Sequence, residues 1–288
     1  MSNTARIGII GGSGLYDLEG LKSTRQVRPH TPYGPPSDAI TLGELQGVAV
    51  AFLPRHGVGH RLSPSELPAR ANIFALKMLG VERLISVSAV GSLQERIRPL
   101  DLVLPDQLID RTRGRPSTFF EGGIVAHVAF AEPFCAELRS LVHQAALESG
   151  ARSHLGGTMV VMEGPQFSTK AESHLYRAWG ASVIGMTALP EAKLAREAEM
   201  CYATLACATD YDCWHESEES VSVELVVQNL LRNVAVSKEV LRRAIPQLPV
   251  SRACPCASAL QNAIITAPAA IPVDVKRKLA PLIGKYLQ

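Results

Sequence analysis

The chain lacks the marks of several large functional classes. Its 288 residues carry a formal net charge of only +2, and no block of lysine or arginine stands out. Charge alone therefore gives no reason to expect nucleic acid as a partner. No apolar run looks fit to span a bilayer, and the longest late one, 263–273, is broken by Pro268 and Pro272. The N-terminus runs into an apolar strand at residue 7 without a secretory apolar region and cleavage site. No membrane association is expected, and the cytoplasm is the expected location. There is no internal repeat. Cysteine is sparse, with six residues scattered through the chain. Cys135, Cys201, Cys207 and Cys213 read as buried or ligand-proximal thiols. Cys254-Pro255-Cys256 is a tight pair, but the sequence shows no second pair and no histidines at zinc-ligand spacing, so no metal is expected. A reducing compartment argues against a resting disulfide there.

What is present is a series of short apolar strands that empty into polar or glycine-rich loops, in a chain that is 47% hydrophobic and 19% charged. That balance is ordinary for a globular protein with a sizeable core. In α/β proteins ligands bind at such strand ends. Strand 7–10 is followed by Gly11-Gly12-Ser13-Gly14. The loop fits neither the dinucleotide pattern, since Asp17 stands where the last glycine should, nor the nucleoside-triphosphate pattern, since Leu15 follows Gly14. A loop with one hydroxyl among glycines suits inorganic phosphate, with a plain turn as the alternative. Strand 48–53 empties into Pro54-Arg55-His56-Gly57-Val58-Gly59-His60. A guanidinium fork beside an imidazole is a sensible grip on a phosphate dianion. His56 and His60 have helical metal-ligand spacing, but Gly57 and Gly59 disfavour a helix, so a metal is rejected here as well. Strand 83–92 carries Ser88, Ala89 and Gly91 near its end. Three strand ends with anion-friendly chemistry point to one common phosphate site.

Helices are expected over 65–80, 134–150, 190–200 and 221–245, and a last helical segment over 273–286. Further strands are expected over 102–108, 156–162, 182–186 and 201–207. His127 follows a polar loop and reads as surface or interface. Thr169 and Glu172 form a capping box that opens a helix to about 180. Phe167 and Ser168 then sit in a strand-to-helix turn, where an aromatic ring has a flat ligand or core packing as alternatives. Strand 201–207 leads into Ala208-Thr209-Asp210-Tyr211-Asp212-Cys213-Trp214. Its two acids read either as ligand-binding groups or as caps. The whole is α/β: a single domain with a central mixed β-sheet flanked by helices, 1–249, and a C-terminal extension, 250–288, packing on it.

Gly11-Gly12-Ser13-Gly14, Arg55-His56, Glu163-Gly164-Pro165-Gln166-Phe167-Ser168, Gly185-Met186-Thr187-Ala188-Leu189-Pro190-Glu191 and the 208–214 stretch occur in that order. With them the chain resembles the trimeric purine nucleoside phosphorylases, over about 6–249. The resemblance implies phosphorolysis: phosphate attacks the anomeric carbon of a nucleoside and releases the base. Inorganic phosphate is then a co-substrate and no cofactor is expected. It implies phosphate binding by Ser13, Arg55, His56, Ser88, Ala89 and Thr187, with Met186 against the ribose. Asp210 is placed at the purine N7 as the catalytic acid, with Thr209, Asp212 and Phe167 around the base.

Relative to the 6-oxopurine branch of that family, this chain has Asp210 for an asparagine, Ser168 for a glutamate and Val223 for a histidine. A carboxylate accepts from an N6 amino group and repels an O6 oxygen, so a 6-aminopurine is expected. An aliphatic pocket from Val223 and Val226, with His60, favours a methylthio group at the 5′ end. Methylthioadenosine should be strongly preferred over inosine and moderately over adenosine. A phosphorylase for 6-oxopurine nucleosides or methylthioinosine is the alternative, and a non-catalytic nucleoside or phosphate binder the alternative of another class. The resemblance also implies a homo-oligomer, a trimer or dimer of trimers, with His127 contributed across the interface.

Overall fold

The computed structural model describes residues 4–12, 15, 20–215 and 223–287, with only the backbone for 223–226. In chain order the strands are β1 (Ile7–Gly11), β2 (Lys22–Val27), β3 (Ile40–Leu45), β4 (Val48–Pro54), β5 (Arg83–Ser92), β6 (Leu102–Leu104), β7 (Gln107–Arg111), β8 (Ser153–Leu155), β9 (Thr158–Met162), β10 (Val183–Gly185) and β11 (Cys201–Asp210). The helices are α1 (Ala69–Met78), α2 (Ala136–Glu148), α3 (Lys170–Ala178), α4 (Ala188–Glu197), α5 (Val223–Gln247), α6 (Val273–Lys278) and α7 (Ala280–Ile283).

All eleven strands join one mixed sheet, in the order β2-β3-β4-β1-β5-β10-β9-β7, with β11, β6 and β8 branching from β5. The branch puts β5 at the centre, paired with β1, β10 and β11. β1, β4, β5 and β11 are mutually parallel, so their C-terminal ends emerge on the same side. β10 runs antiparallel to β5, with Ile184 opposite Gly91, and carries Met186 and Thr187 back toward the same place. Every residue of β1 and β11 is buried, as expected of strands covered on both faces.

Proline decides several boundaries. The helix expected from 65 starts at Ala69, after a separate 3-10 turn, because Pro68 cannot continue that turn into a helix. The strand expected over 102–108 is two strands on either side of Pro105, with different neighbours: β6 pairs β8 and β11, and β7 pairs β9. The expected C-terminal helix is α6, α7 and a 3-10 turn, with Pro281 opening α7. β2 and β3 were not expected; β2 is largely exposed, so its sequence shows no apolar face.

Residues beyond 249 share the sheet's own core, since Leu260, Ile271, Leu279, Leu282 and Ile283 pack in one buried cluster with Leu84, Val103 and Met159. One expectation about this segment is overturned. Cys254 and Cys256 do have a second pair beside them, because the fold brings Cys135 and Cys201 to them from far away in sequence.

Candidate active site

The gathered strand ends enclose a cavity of about 270 Å³. One end lies over Gly12, Arg55 and Ser88. A Cβ on Gly12 would stand 3.0 Å from the Val87 carbonyl oxygen and 3.5 Å from Arg55 Nη1, so any side chain here would have to press back the β5 backbone. Arg55 is 1% exposed and is held by Glu191, itself 3% exposed. Its Nε and Nη2 donate to the two carboxylate oxygens of Glu191, Nη2 also donates to Ser86 Oγ, and Nη1 lies 3.3 Å from Val87 O. Burial works against the guanidinium charge, but Glu191 outweighs it and raises the pKa above the ordinary value. Tyr202 donates its hydroxyl to Glu191 Oε2 at 3.0 Å, which completes the carboxylate's partners.

The 54–62 loop is fastened from outside by Asp38, whose Oδ2 accepts from the Val58 N–H at 3.0 Å and from Arg61 at 3.1 Å. Inside it, His56 Nδ1 donates to the Leu62 carbonyl at 2.8 Å. Burial and the Arg55 charge push the His56 pKa down to about 4. The ring is therefore neutral near pH 7, with its proton on Nδ1 and a lone pair on Nε2. His60 stacks on it, centroids 4.2 Å apart, and lines the same cavity. Ser88 Oγ is buried with no hydrogen-bond partner among the described residues. Ala89 and Thr187 complete this end of the cavity lining.

The other end is organised around Gly91, three residues further along β5, or about 10 Å. A Cβ there would meet Asp210 Oδ1 at 3.1 Å and Asp212 Cβ at 3.3 Å. β11 runs further than its apolar stretch suggests and ends at Asp210, with a bulge between Ala208 and Asp210. A bulge re-aims the side chains that follow it, here into the cavity. Asp210 Oδ2 accepts from the Thr209 hydroxyl at 2.7 Å, and Oδ1 accepts from the Asp212 N–H at 2.7 Å. Asp212 turns the chain at φ +52°, a left-handed conformation that aspartate tolerates. Its Oδ2 is buried without a partner among the described residues. Burial raises the pKa of both acids. Phe167, Met186 and Thr209 also line the cavity.

The cavity thus has a buried guanidinium paired with Glu191 at one end and two buried acids at the other. Residues 6–246 match the phosphorylase superfamily. The chain belongs to it. It is similar to the S-methyl-5′-thioadenosine phosphorylase of Geobacter sulfurreducens, 56% identical over 98% of this chain and 99% of the relative. Among solved structures it is similar to a methylthioadenosine phosphorylase from an antarctic soil metagenomic library, with TM-score 0.91, 52% identity, and 97% and 99% of the two chains covered. It is also similar to the methylthioadenosine phosphorylase of Schistosoma mansoni in complex with adenine, with TM-score 0.84, 34% identity and 98% of each chain covered.

In this phosphorylase the fold gathers Arg55, His56, His60, Ser88, Ala89, Phe167, Met186, Thr187, Thr209, Asp210 and Asp212 around the cavity. Ser13 lies outside the described residues, as do the side chains of Val223 and Val226 at the start of α5. Ser168 stands behind the cavity wall: its Oγ lies 3.5 Å from Met162 Sδ, its side chain also acts on the Asp212 carboxyl, and its carbonyl accepts from the Cys213 thiol. His127 is exposed and does not line the cavity, and its backbone N–H is donated to Ala263 O. Sequence reasoning missed the residues that hold the site. Glu191 stood inside a quoted motif, and a buried arginine demands such a partner. Arg115, from a loop that looked merely polar, donates to the Met186 and Leu189 carbonyls at 2.7 and 2.9 Å and pairs with Glu163, joining the loops that carry Glu163 and Met186. Asn229 and Asn233 of α5, one turn apart, donate to the Thr209 and Ala208 carbonyls at 2.7 and 2.9 Å.

Proposed function

We propose that this phosphorylase converts S-methyl-5′-thioadenosine and inorganic phosphate to adenine and 5-methylthioribose 1-phosphate. A phosphate oxygen bonds to the anomeric carbon while the bond to purine N9 breaks and its electron pair leaves with the base. The base gains a proton at N7 from Asp210, and the developing positive charge on the sugar is stabilised by the phosphate beside it. The observation that carries this reading is the pair of buried acids at one end of the cavity, both with raised pKa, and one with an oxygen that has no hydrogen-bond partner among the described residues. A raised carboxyl is the group suited to hand a proton to a leaving purine near neutral pH. Asp212 Oδ2 is assigned to accept from the N6 amino group, which a 6-oxopurine lacks.

At the other end Arg55, Ser88, Ala89, Thr187 and His56 are assigned to phosphate, with Ser13 added on sequence grounds. A neutral His56 with its Nε2 lone pair inward accepts a hydrogen bond from the P–OH of monohydrogen phosphate. Sulfate, which has no such proton, should then inhibit weakly. Phe167 is assigned to the base and Met186 to the ribose. Val223 and Val226 are assigned to the methylthio group on sequence grounds, with His60. No cofactor takes part.

The deciding experiment measures base release from methylthioadenosine, adenosine, methylthioinosine and inosine, with and without phosphate. The expected order is methylthioadenosine, then adenosine, with the two 6-oxopurine nucleosides far behind and no turnover without phosphate. Undiminished turnover in phosphate-free buffer would make the protein a hydrolase and overturn the proposal. We further infer a cytoplasmic homo-oligomer, a trimer or dimer of trimers, in which His127 reaches a neighbour's sugar pocket. Light scattering that finds the 31.0 kDa protomer in a fully active sample would refute the assembly.

A further inference from the structure

Four cysteines meet at the end of the sheet opposite the cavity. Cys135 is the residue before α2, Cys201 opens β11, and Cys254 and Cys256 flank Pro255 at the 3-10 turn that begins the last segment. Their four sulfurs all lie within 4.8 Å of one another, and the Cys201 and Cys254 sulfurs are 3.3 Å apart. Cys135, Cys201 and Cys256 are buried and Cys254 is half-buried. Four thiols have no need to converge for packing alone, since each fills its space equally well as a small apolar group.

The spacing suits a particular occupant. Zinc bound tetrahedrally by sulfur at about 2.3 Å sets the sulfurs about 3.8 Å from one another. A cluster with one pair 3.3 Å apart and all its members within 4.8 Å of one another needs only small side-chain adjustments to meet that value. The donor set is all thiolate, which selects a soft or borderline ion, and four protein ligands leave no open position for substrate.

A zinc tetrathiolate carries a net negative charge, and the surroundings supply cations. Arg83, 3% exposed, is the cross-strand neighbour of Cys201 and donates to Ser251 O at 2.8 Å. Arg252, two residues before Cys254, donates to Glu199 O at 2.8 Å. Glu137 and Glu82 lie 3.9 and 3.8 Å from these two arginines and offset part of that charge. The N-terminus of the 13-residue α2, which starts right after Cys135, adds a favourable dipole.

We propose that Cys135, Cys201, Cys254 and Cys256 form a structural zinc site that clamps the C-terminal segment to the sheet. The clamp ties together three stretches that the sequence keeps far apart. One of them is the start of β11, the strand whose other end presents Thr209 and Asp210 to the cavity. The site is separate from the reaction, and its existence does not depend on the substrate assignment above.

The test uses the full chain purified under reducing conditions without chelator. Elemental analysis should find one zinc per chain. Exchange for cobalt should give the visible d–d bands and the near-ultraviolet thiolate charge-transfer band of a tetrahedral tetrathiolate. Cys256→Ser and Cys254→Ser should lose the metal and melt at lower temperature than the parent chain. If a variant fails to fold, the metal content and cobalt spectrum of the parent chain still decide. Metal-free protein with all six thiols titratable after denaturation overturns the proposal. So does metal-free protein in which thiols are missing until a reductant is added, since the quartet would then be a disulfide pair or pairs.

Discussion

The two ends of the cavity carry buried charge by opposite means. At the phosphate end the charge of Arg55 is matched within the protein, by Glu191, and the network extends to Ser86 and Tyr202. The groups left to meet the ligand there include Ser88 Oγ and a neutral His56. At the end assigned to the base, Asp210 has a hydroxyl and an amide N–H for partners and no cation among the described residues, and Asp212 keeps one acceptor without a partner among them. Pairing fixes a charge in place. Burial without a cation makes a carboxyl ready to hold a proton, which is what a leaving purine requires. One end is built to stay ionised and the other to change its protonation.

The largest break in that comparison is Arg55→Met. It should abolish phosphorolysis and, by leaving Glu191 buried without its partner, destabilise the fold by about 3–5 kcal/mol. Adding Glu191→Gln to it should restore most of the stability and none of the activity, as read from urea midpoints and initial rates on the same samples. Asp210→Asn comes next. It removes an acid that has no ion-pair partner, so the melting temperature should hold or rise while kcat for methylthioadenosine falls by roughly 10²–10⁴-fold. A loss of stability as large as that of Arg55→Met would show that the two ends are built alike. Smaller again is Asn229→Ala, which frees the buried Thr209 carbonyl at a cost of about 1–3 kcal/mol. Because Asn229 braces only the base end, KM for the nucleoside should rise while KM for phosphate stays put.

The residues that line the cavity around Arg55 were more legible in the sequence than the supports behind them. Strands such as β1 and most of β11 are largely apolar runs, and the hydroxyls, glycines and charges that follow them stand out by contrast. Asp210 could be named as a ligand group, but its aim depends on the bulge after Ala208, which apolar patterning does not reveal. Glu191 lies 136 positions from Arg55, and the asparagines of α5 sit on a helix read only for its span and for Val223 and Val226 near its start. Such partners are set by packing of distant elements, which a linear pattern does not encode. The cysteine quartet was missed for the same reason: only two of its members are near neighbours in the chain.

Glu197 offers the finest test, because it is a buried acid outside the cavity with its hydrogen bonds satisfied. Its oxygens accept from the Thr118 hydroxyl and the Phe119 N–H, each at 2.7 Å. Burial nevertheless raises its pKa from 4.5 to about 7. The folded state thus holds this proton after the unfolded chain has released it. The stability it contributes is fully present below about pH 4.5 and is lost as pH rises through about 7. The span amounts to an effect on the order of 3 kcal/mol, at 1.36 kcal/mol for each unit of pKa. Glu197→Gln cannot ionise, and its carbonyl oxygen can still accept from Phe119. The difference in urea midpoint between variant and parent should therefore be small at pH 4.5 and should favour the variant increasingly up to about pH 7. A difference that stays constant over that range would mean that two good donors suffice to keep a buried carboxylate ionised. Asp210, which also accepts from a hydroxyl and an N–H, would then be ionised too, and the proton it is assigned to deliver would have to come from elsewhere.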